Sequence, residues 1–155
     1  MEITDVTQDL PKHPSKTYAT RAISDITHIV VHHSATETGS AEAFARYHVQ
    51  EQGWPGVGYH YVIGQDGYIK KCHPAEIISY HASGYNSRSL GVCLVGNFDE
   101  QKPTRVQLDA LIELLKQLMK AYGIRNVIGH REVPHTNKSC PGKNVNMDEI
   151  RKKLA

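Results

Sequence analysis

Three features of the 155-residue sequence predict an α/β fold: a single domain with a central mixed β-sheet of about five strands flanked by three helices. Apolar, β-branched runs of strand length alternate with stretches of helical periodicity. Two of those runs, Tyr59 to Ile63 and Tyr68 to Cys72, are joined by Gly64-Gln65-Asp66-Gly67, a hairpin signature that makes one pair antiparallel. The third feature is three helix starts marked by capping residues, at Ser40, Thr104 and Asn146.

Taken in order, residues 1–25 carry Pro11 and Pro14 among scattered polar residues and read as an N-terminal arm packed on the domain, which spans 26–155. Ile26-Thr27-His28-Ile29-Val30-Val31-His32-His33 suits a strand covered on both faces. With a period of two, His28, Val30 and His32 share one face while Ile29, Val31 and His33 share the other. Ser40 fits an N-cap, followed by Phe44, Tyr47, His48 and Glu51 at helical spacing until Gly53. After the hairpin, residues 73–89 form an irregular polar stretch, and a loop of that length in a compact domain is more often functional than idle. Leu90 to Val95 reads as a central strand in which Cys93 packs as a small hydrophobe. Thr104 with Gln107 makes a capping box ahead of a stripe formed by Leu108, Leu111, Ile112, Leu115, Leu118, Met119 and Tyr122. Asn126-Val127-Ile128 is a last short strand, and Asn146 caps a terminal helix with Glu149 at its third position.

Composition bounds the function. A net charge of +2 with mixed signs is too mild for a chain built to neutralise many phosphates, so nucleic acid is not an expected partner. No apolar run approaches the roughly 18 residues of a membrane span, and no membrane insertion is expected. Three cysteines without CxxC spacing suggest neither a disulfide framework nor a zinc ribbon. The N-terminus lacks the basic start and apolar stretch of a secretory signal, so synthesis in a reducing cytoplasm is expected. Ten histidines in one small domain are the anomaly.

The common short motifs of nucleotide binding, serine hydrolysis and helical zinc proteases are missing. What remains is His32 at a strand end, His130 after a strand, and Cys140 in Ser139-Cys140-Pro141-Gly142. Two imidazoles and a thiolate suit a tetrahedral Zn²⁺ whose fourth position is open to water. Spacing alone leaves that trio open against scattered surface histidines and an inert cysteine.

The order of several short segments resembles the zinc-dependent N-acetylmuramoyl-L-alanine amidases of the type-2 family, which includes phage endolysins, bacterial amidases and animal peptidoglycan recognition proteins. The segments are Ile29 to Thr36, Gln52 to Tyr61, His81 to Asn86, Leu90 to Asn97, and Gly129 to Val133 leading to Lys138 to Gly142. They cover roughly residues 26–150, and the likeness is strongest to the short phage endolysins. The resemblance implies that His32, His130 and Cys140 hold zinc in a surface cleft. It makes Tyr59 and Lys138 catalytic, stabilising charge on the carbonyl oxygen, and His81 and Asn86 substrate contacts. It implies hydrolysis, by zinc-activated water, of the amide between N-acetylmuramic acid and the L-alanine of the stem peptide. His33 and His60, facing away from His32 and Tyr59, read as supporting or core groups, and His135 as a spare ligand in a loop longer than in the phage relatives. His13, His28, His48 and His73 read as surface or packing residues.

Two other functions fit parts of this pattern. A peptidoglycan-binding module without activity would not need Cys140, Tyr59 and Lys138 together. A cysteine hydrolase would use Cys140 as nucleophile and His130 as base. The expected partner is peptidoglycan or a muropeptide, and the expected state a monomer. The site of action is the cell wall after holin-type release, or wall fragments in the cytoplasm. A partner-binding or inhibitory role, if the chain has one, would lie in residues 1–25.

Overall fold

The computed structural model describes all residues, 1–155, and builds them around one six-stranded sheet. The strands are β1 (Ile3–Asp5), β2 (His28–His33), β3 (Tyr61–Ile63), β4 (Ile69–Lys71), β5 (Ser89–Leu94) and β6 (Asn126–Gly129). The helices are α1 (Ala41–Gln50), α2 (Arg105–Tyr122) and α3 (Met147–Leu154). Strand order is β1-β4-β3-β5-β2-β6, with β3–β4 antiparallel and every other pair parallel. The sixth strand is the departure from the expected five. It comes from the arm, where Ile3 pairs with Ile69 and Asp5 with Lys71. Three residues are too short to show a period, so only the neighbour's free edge defines β1 as a strand.

Caps set the helix boundaries. The Ser40 hydroxyl accepts the Ala43 N–H at 3.1 Å, and the Asn146 side chain accepts that of Glu149 at 3.1 Å. Thr104 accepts the Gln107 N–H at 3.1 Å, and Gly123 ends α2 at φ +66°. The expected reciprocal bond from Gln107 does not form. Its side chain turns inward instead, donating at 3.1 Å to the carbonyls of both Ile63 and Val95 and tying the ends of β3 and β5 together.

Period-two alternation divides the sheet into two faces with different occupants. Ile29 and Val31 of β2 with Leu90, Val92 and Leu94 of β5 pack against Leu111, Leu115 and Leu118 of α2 and Ile150 of α3. Leu114, outside the expected stripe, is also fully buried there. On the other face, Val62, Cys93 and Val95 lie under Ala41, Phe44 and Ala45 of α1. The rest of that face is covered by residues 73–88, irregular apart from a bridge at Ile77 and a 3-10 turn (Asn86–Arg88), while Ser89, expected in the loop, opens β5. Ala82 of this segment and Val133, after β6, shield Val30. No helix is long and apolar enough to cross a membrane.

Hydrogen bonds hold that irregular cover in place. The Ile78 N–H donates to Ala19 and the Arg21 N–H to Glu76, both at 2.9 Å, so the arm adds a short bridge to the loop. The Arg21 guanidinium donates to the carbonyls of Ala75 at 3.0 Å and Asn86 at 2.9 Å. Fully buried His60 links loop to sheet: its Nε2–H donates to Ile77 O at 2.8 Å while Nδ1 accepts the Gly91 N–H at 3.1 Å.

His60 therefore fits only as a neutral imidazole, since a proton on Nδ1 would face the Gly91 N–H. Burial, then His81, His73 and Arg21, hold its pKa well below the ordinary 6.5. Burial likewise lowers His48 to about 4. As pH falls below about 6.5 the unfolded chain binds protons that the folded one refuses, so stability drops. The urea midpoint of the metal-free protein is expected to fall between pH 7 and pH 5, above the range where carboxylates titrate. An unchanged midpoint would mean that these imidazoles are not held neutral.

Candidate metal centre and active-site cleft

His32 and His130 meet because of strand register. β2 and β6 run parallel with Val30 opposite Ile128 and Val31 opposite Gly129. One residue further on stand His32, still in β2, and His130, just past the carboxyl end of β6, with ring centroids 4.7 Å apart. His130 opens a 3-10 turn (His130–Glu132) that Glu132 closes by accepting the Gly129 N–H at 2.8 Å. Arg151 of α3 grips the same carboxylate through two bonds of 2.8 and 3.0 Å.

Cys140 reaches the pair through its own loop. The Arg131 N–H donates to the Cys140 carbonyl at 2.7 Å, and the Arg131 guanidinium donates to Gly142 O at 2.8 Å and Val145 O at 2.7 Å. The Cys140 sulfur accepts the His33 N–H at 3.4 Å and lies 3.7 Å from His32 Nδ1. One donor atom from each of His32, His130 and Cys140 falls within 4.8 Å of the others. Bonds of about 2.0–2.3 Å to a tetrahedral zinc would set donors about 3.3–3.7 Å apart, so the trio fits such an ion after a small contraction.

The electrostatics suit the same occupant. Burial, reinforced by the neighbouring imidazoles, holds His32 well below its ordinary pKa; burial and then Lys138 lower His130. Both keep lone pairs at neutral pH. Burial pushes the Cys140 thiol up to about 12, a shift that a bound cation would reverse.

The trio lies at the base of a cleft of about 1050 Å³ whose wall includes Trp54, Tyr59, Tyr80, His81 and Lys138. Tyr59 precedes β3, half-buried, with its ring 5.4 Å from that of His32. Burial, then the thiols of Cys93 and Cys140, push its phenol well above the ordinary value, so it remains a proton donor at neutral pH. Lys138 is exposed on the cleft-lining segment that leads to Cys140.

The expected substrate contacts also line the cleft, but with other partners. The Asn86 Oδ1 accepts the N–H groups of His81 at 2.9 Å and Ala82 at 2.8 Å, fixing the loop beneath it. His81 places Nδ1 2.9 Å from His32 Nε2. His33 sits on the opposite face, where Nδ1 accepts the Phe98 N–H at 3.0 Å. His135 lines the cleft outside the metal-capable trio. His48, read as surface or packing, belongs to the cleft wall: Nδ1 accepts the Gly58 N–H at 2.9 Å and its ring lies 4.6 Å from that of Trp54. Sequence reading assigned no role to Arg131, Trp54 or Tyr80. Arg131 and Trp54 do stand in segments that carry the resemblance, Gly129 to Val133 and Gln52 to Tyr61, and that position is their one available signal; Tyr80 stands in none.

Asn86→Ala is expected to leave two loop N–H groups without an acceptor and to cost about 1–3 kcal/mol in denaturant unfolding, whereas Asn86→Asp keeps an acceptor and loses less. Equal stability of both variants with wild type would remove the bracing role.

Residues 22–143 match the N-acetylmuramoyl-L-alanine amidase family. An endolysin of Klebsiella phage KP32 is 37% identical over 121 residues, covering 73% of this chain and 78% of the relative. Peptidoglycan-recognition protein SC2 of Drosophila simulans is 31% identical over 148 residues, covering 88% and 79%. The solved structure of the N-acetylmuramoyl-L-alanine amidase LysC from Clostridium intestinale URNW superposes with a TM-score of 0.84 at 32% identity, covering 99% of this chain and 97% of that one. With the family match spanning most of the chain and the metal-capable trio gathered at the ends of β2 and β6, the chain belongs to the N-acetylmuramoyl-L-alanine amidase family.

Proposed function

We propose that the chain hydrolyses the amide between the lactyl group of N-acetylmuramic acid and the L-alanine of the stem peptide, with zinc held by His32, His130 and Cys140. The observation that carries this reading is the trio itself: three suitable donors within 4.8 Å at the base of an open cleft, in a chain of the amidase family. Zinc bound there supplies a Lewis acid for the carbonyl and a more acidic water. The neutral imidazoles of His32 and His130 provide lone pairs, and the His33 N–H supports negative charge on the Cys140 sulfur. Lys138 and the protonated Tyr59 line the same cleft as cation and donor, suited to the charge that builds on the carbonyl oxygen. The products are a glycan strand and a free stem peptide.

The cysteine-nucleophile alternative asks for a lowered thiol pKa, and burial moves Cys140 the other way, to about 12. The endolysin likeness favours the polymeric wall as substrate over soluble fragments.

Purified peptidoglycan should release new L-alanine amino termini when treated with the zinc-loaded protein. Chelation should stop the release and added zinc restore it; a binding module would only sediment with the wall, and a cysteine hydrolase would survive chelation. Cys140→Ser should lose both metal and activity, and a variant retaining both would overturn the site. Tyr59→Phe and Lys138→Ala should each keep stoichiometric zinc while kcat on a soluble muropeptide falls by about 10- to 1000-fold. Unchanged kcat in either variant would remove that residue from the chemistry.

A further inference from the structure

His81 stands between the metal-capable trio and the sheet, and its hydrogen bonds have a readable direction. The chain of contacts ends on the Tyr85 carbonyl, which can only accept. The Ser89 hydroxyl donates its single proton there at 2.7 Å. Ser89 Oγ therefore accepts from His81, whose Nε2 lies 3.2 Å away and carries the ring proton. His81 Nδ1 is then a bare acceptor facing His32 Nε2 at 2.9 Å. His32 accordingly carries its proton on Nε2 and turns an unprotonated Nδ1 toward Cys140, 3.7 Å from the sulfur.

The surroundings leave His81 little freedom. Its N–H is held by Asn86 Oδ1, and its ring lies against Gly91 of β5, where an added Cβ would come within 2.7 Å of it. Ser89 is fully buried, so no water competes at the far end of the relay. A ligating imidazole almost always has its other nitrogen oriented by a partner, and for His32 that partner is a second imidazole.

We propose that His81 is a positioning residue for the metal ligand His32, fixing its tautomer and ring through the Tyr85–Ser89–His81 relay, and that it is not primarily a substrate contact. This rests on the zinc reading of the trio. Its effect should appear in metal affinity and kcat, with little change in KM.

The test compares zinc affinity, by competition with a chromophoric chelator, and steady-state kinetics in three variants. His81→Phe keeps the ring but removes the acceptor, and should bind zinc about 10- to 100-fold more weakly. His81→Asn puts an amide oxygen near the position of Nδ1 and should recover most of that loss. Ser89→Ala cuts the relay at its far end, leaves the ring in place and should weaken zinc several-fold. It serves as the deciding measurement if His81→Phe does not fold. At saturating zinc, His81→Phe should show lowered kcat and near-normal KM. A folded His81→Phe with wild-type zinc affinity, or with KM alone raised, overturns the proposal while wild-type zinc binding and amidase activity leave the site assignment standing. A wild-type protein that takes up no zinc overturns both.

Discussion

The site depends on one constraint, the parallel register between β2 and β6. Pairing Val31 with Gly129 brings His32 and His130 abreast where both strands end. A slip of one residue would turn His32 into the α2 side and present His33 instead. The two consecutive histidines are thus committed to opposite tasks, His32 to the cleft and His33 to the Phe98 N–H on the helix side. Gly129 permits the approach of the returning chain, since a Cβ there would lie 2.9 Å from Pro141 Cδ. Once register is set, Arg131 folds the following loop about its own guanidinium and delivers Cys140.

That register is secured from the face that does no chemistry. Leu111, Leu115 and Leu118 of α2 and Ile150 of α3 share one apolar cluster with alternate residues of β2 and β5 and with Val127 of β6, and β2 and β5 are buried along almost their whole length. Fully burying such a side chain contributes about 1.5–3 kcal/mol, more than a typical single hydrogen bond in the cleft wall contributes. Apolar packing therefore fixes where His32 and His130 point, and the polar loops adjust around them. The carboxyl ends of the parallel strands β5, β2 and β6 gather on one edge, the place where open α/β sheets leave a crevice.

Legibility in the sequence followed the range of the interaction. Local signals were readable: Ser40, Thr104 and Asn146 accept the N–H groups their positions implied, and Gly67, at φ +88°, closes the hairpin. The three metal-capable residues were legible through the order of short segments, although about a hundred positions separate His32 from His130 and no local pattern joins them. Interactions decided by the partner were not legible. β1 exists because β4 offers an edge, Gln107 leaves its box because two carbonyls lie beneath it, and Arg21 acquires a purpose only when the loop at 75–86 comes within reach.

The covering of the second face accounts for several of the histidines that stand outside the metal-capable trio. Residues 73–88 bring a run of backbone polar groups over the sheet without a regular ladder to satisfy them, and each buried group needs a partner. A neutral imidazole offers one donor and one acceptor about 2 Å apart on a flat ring, so it can join two segments that run past each other. His60 joins Ile77 to Gly91, while His73 donates to Val57 O and His48 accepts from Gly58 to anchor the segment before β3. A lysine or glutamate placed there would bring a charge that burial opposes, and an apolar residue would leave both partners unpaired. Part of the histidine excess, His48, His60 and His73, therefore follows from covering this face with irregular chain. The same two-ended chemistry recurs in His32 of the metal-capable trio, whose Nδ1 faces the Cys140 sulfur while Nε2 meets His81.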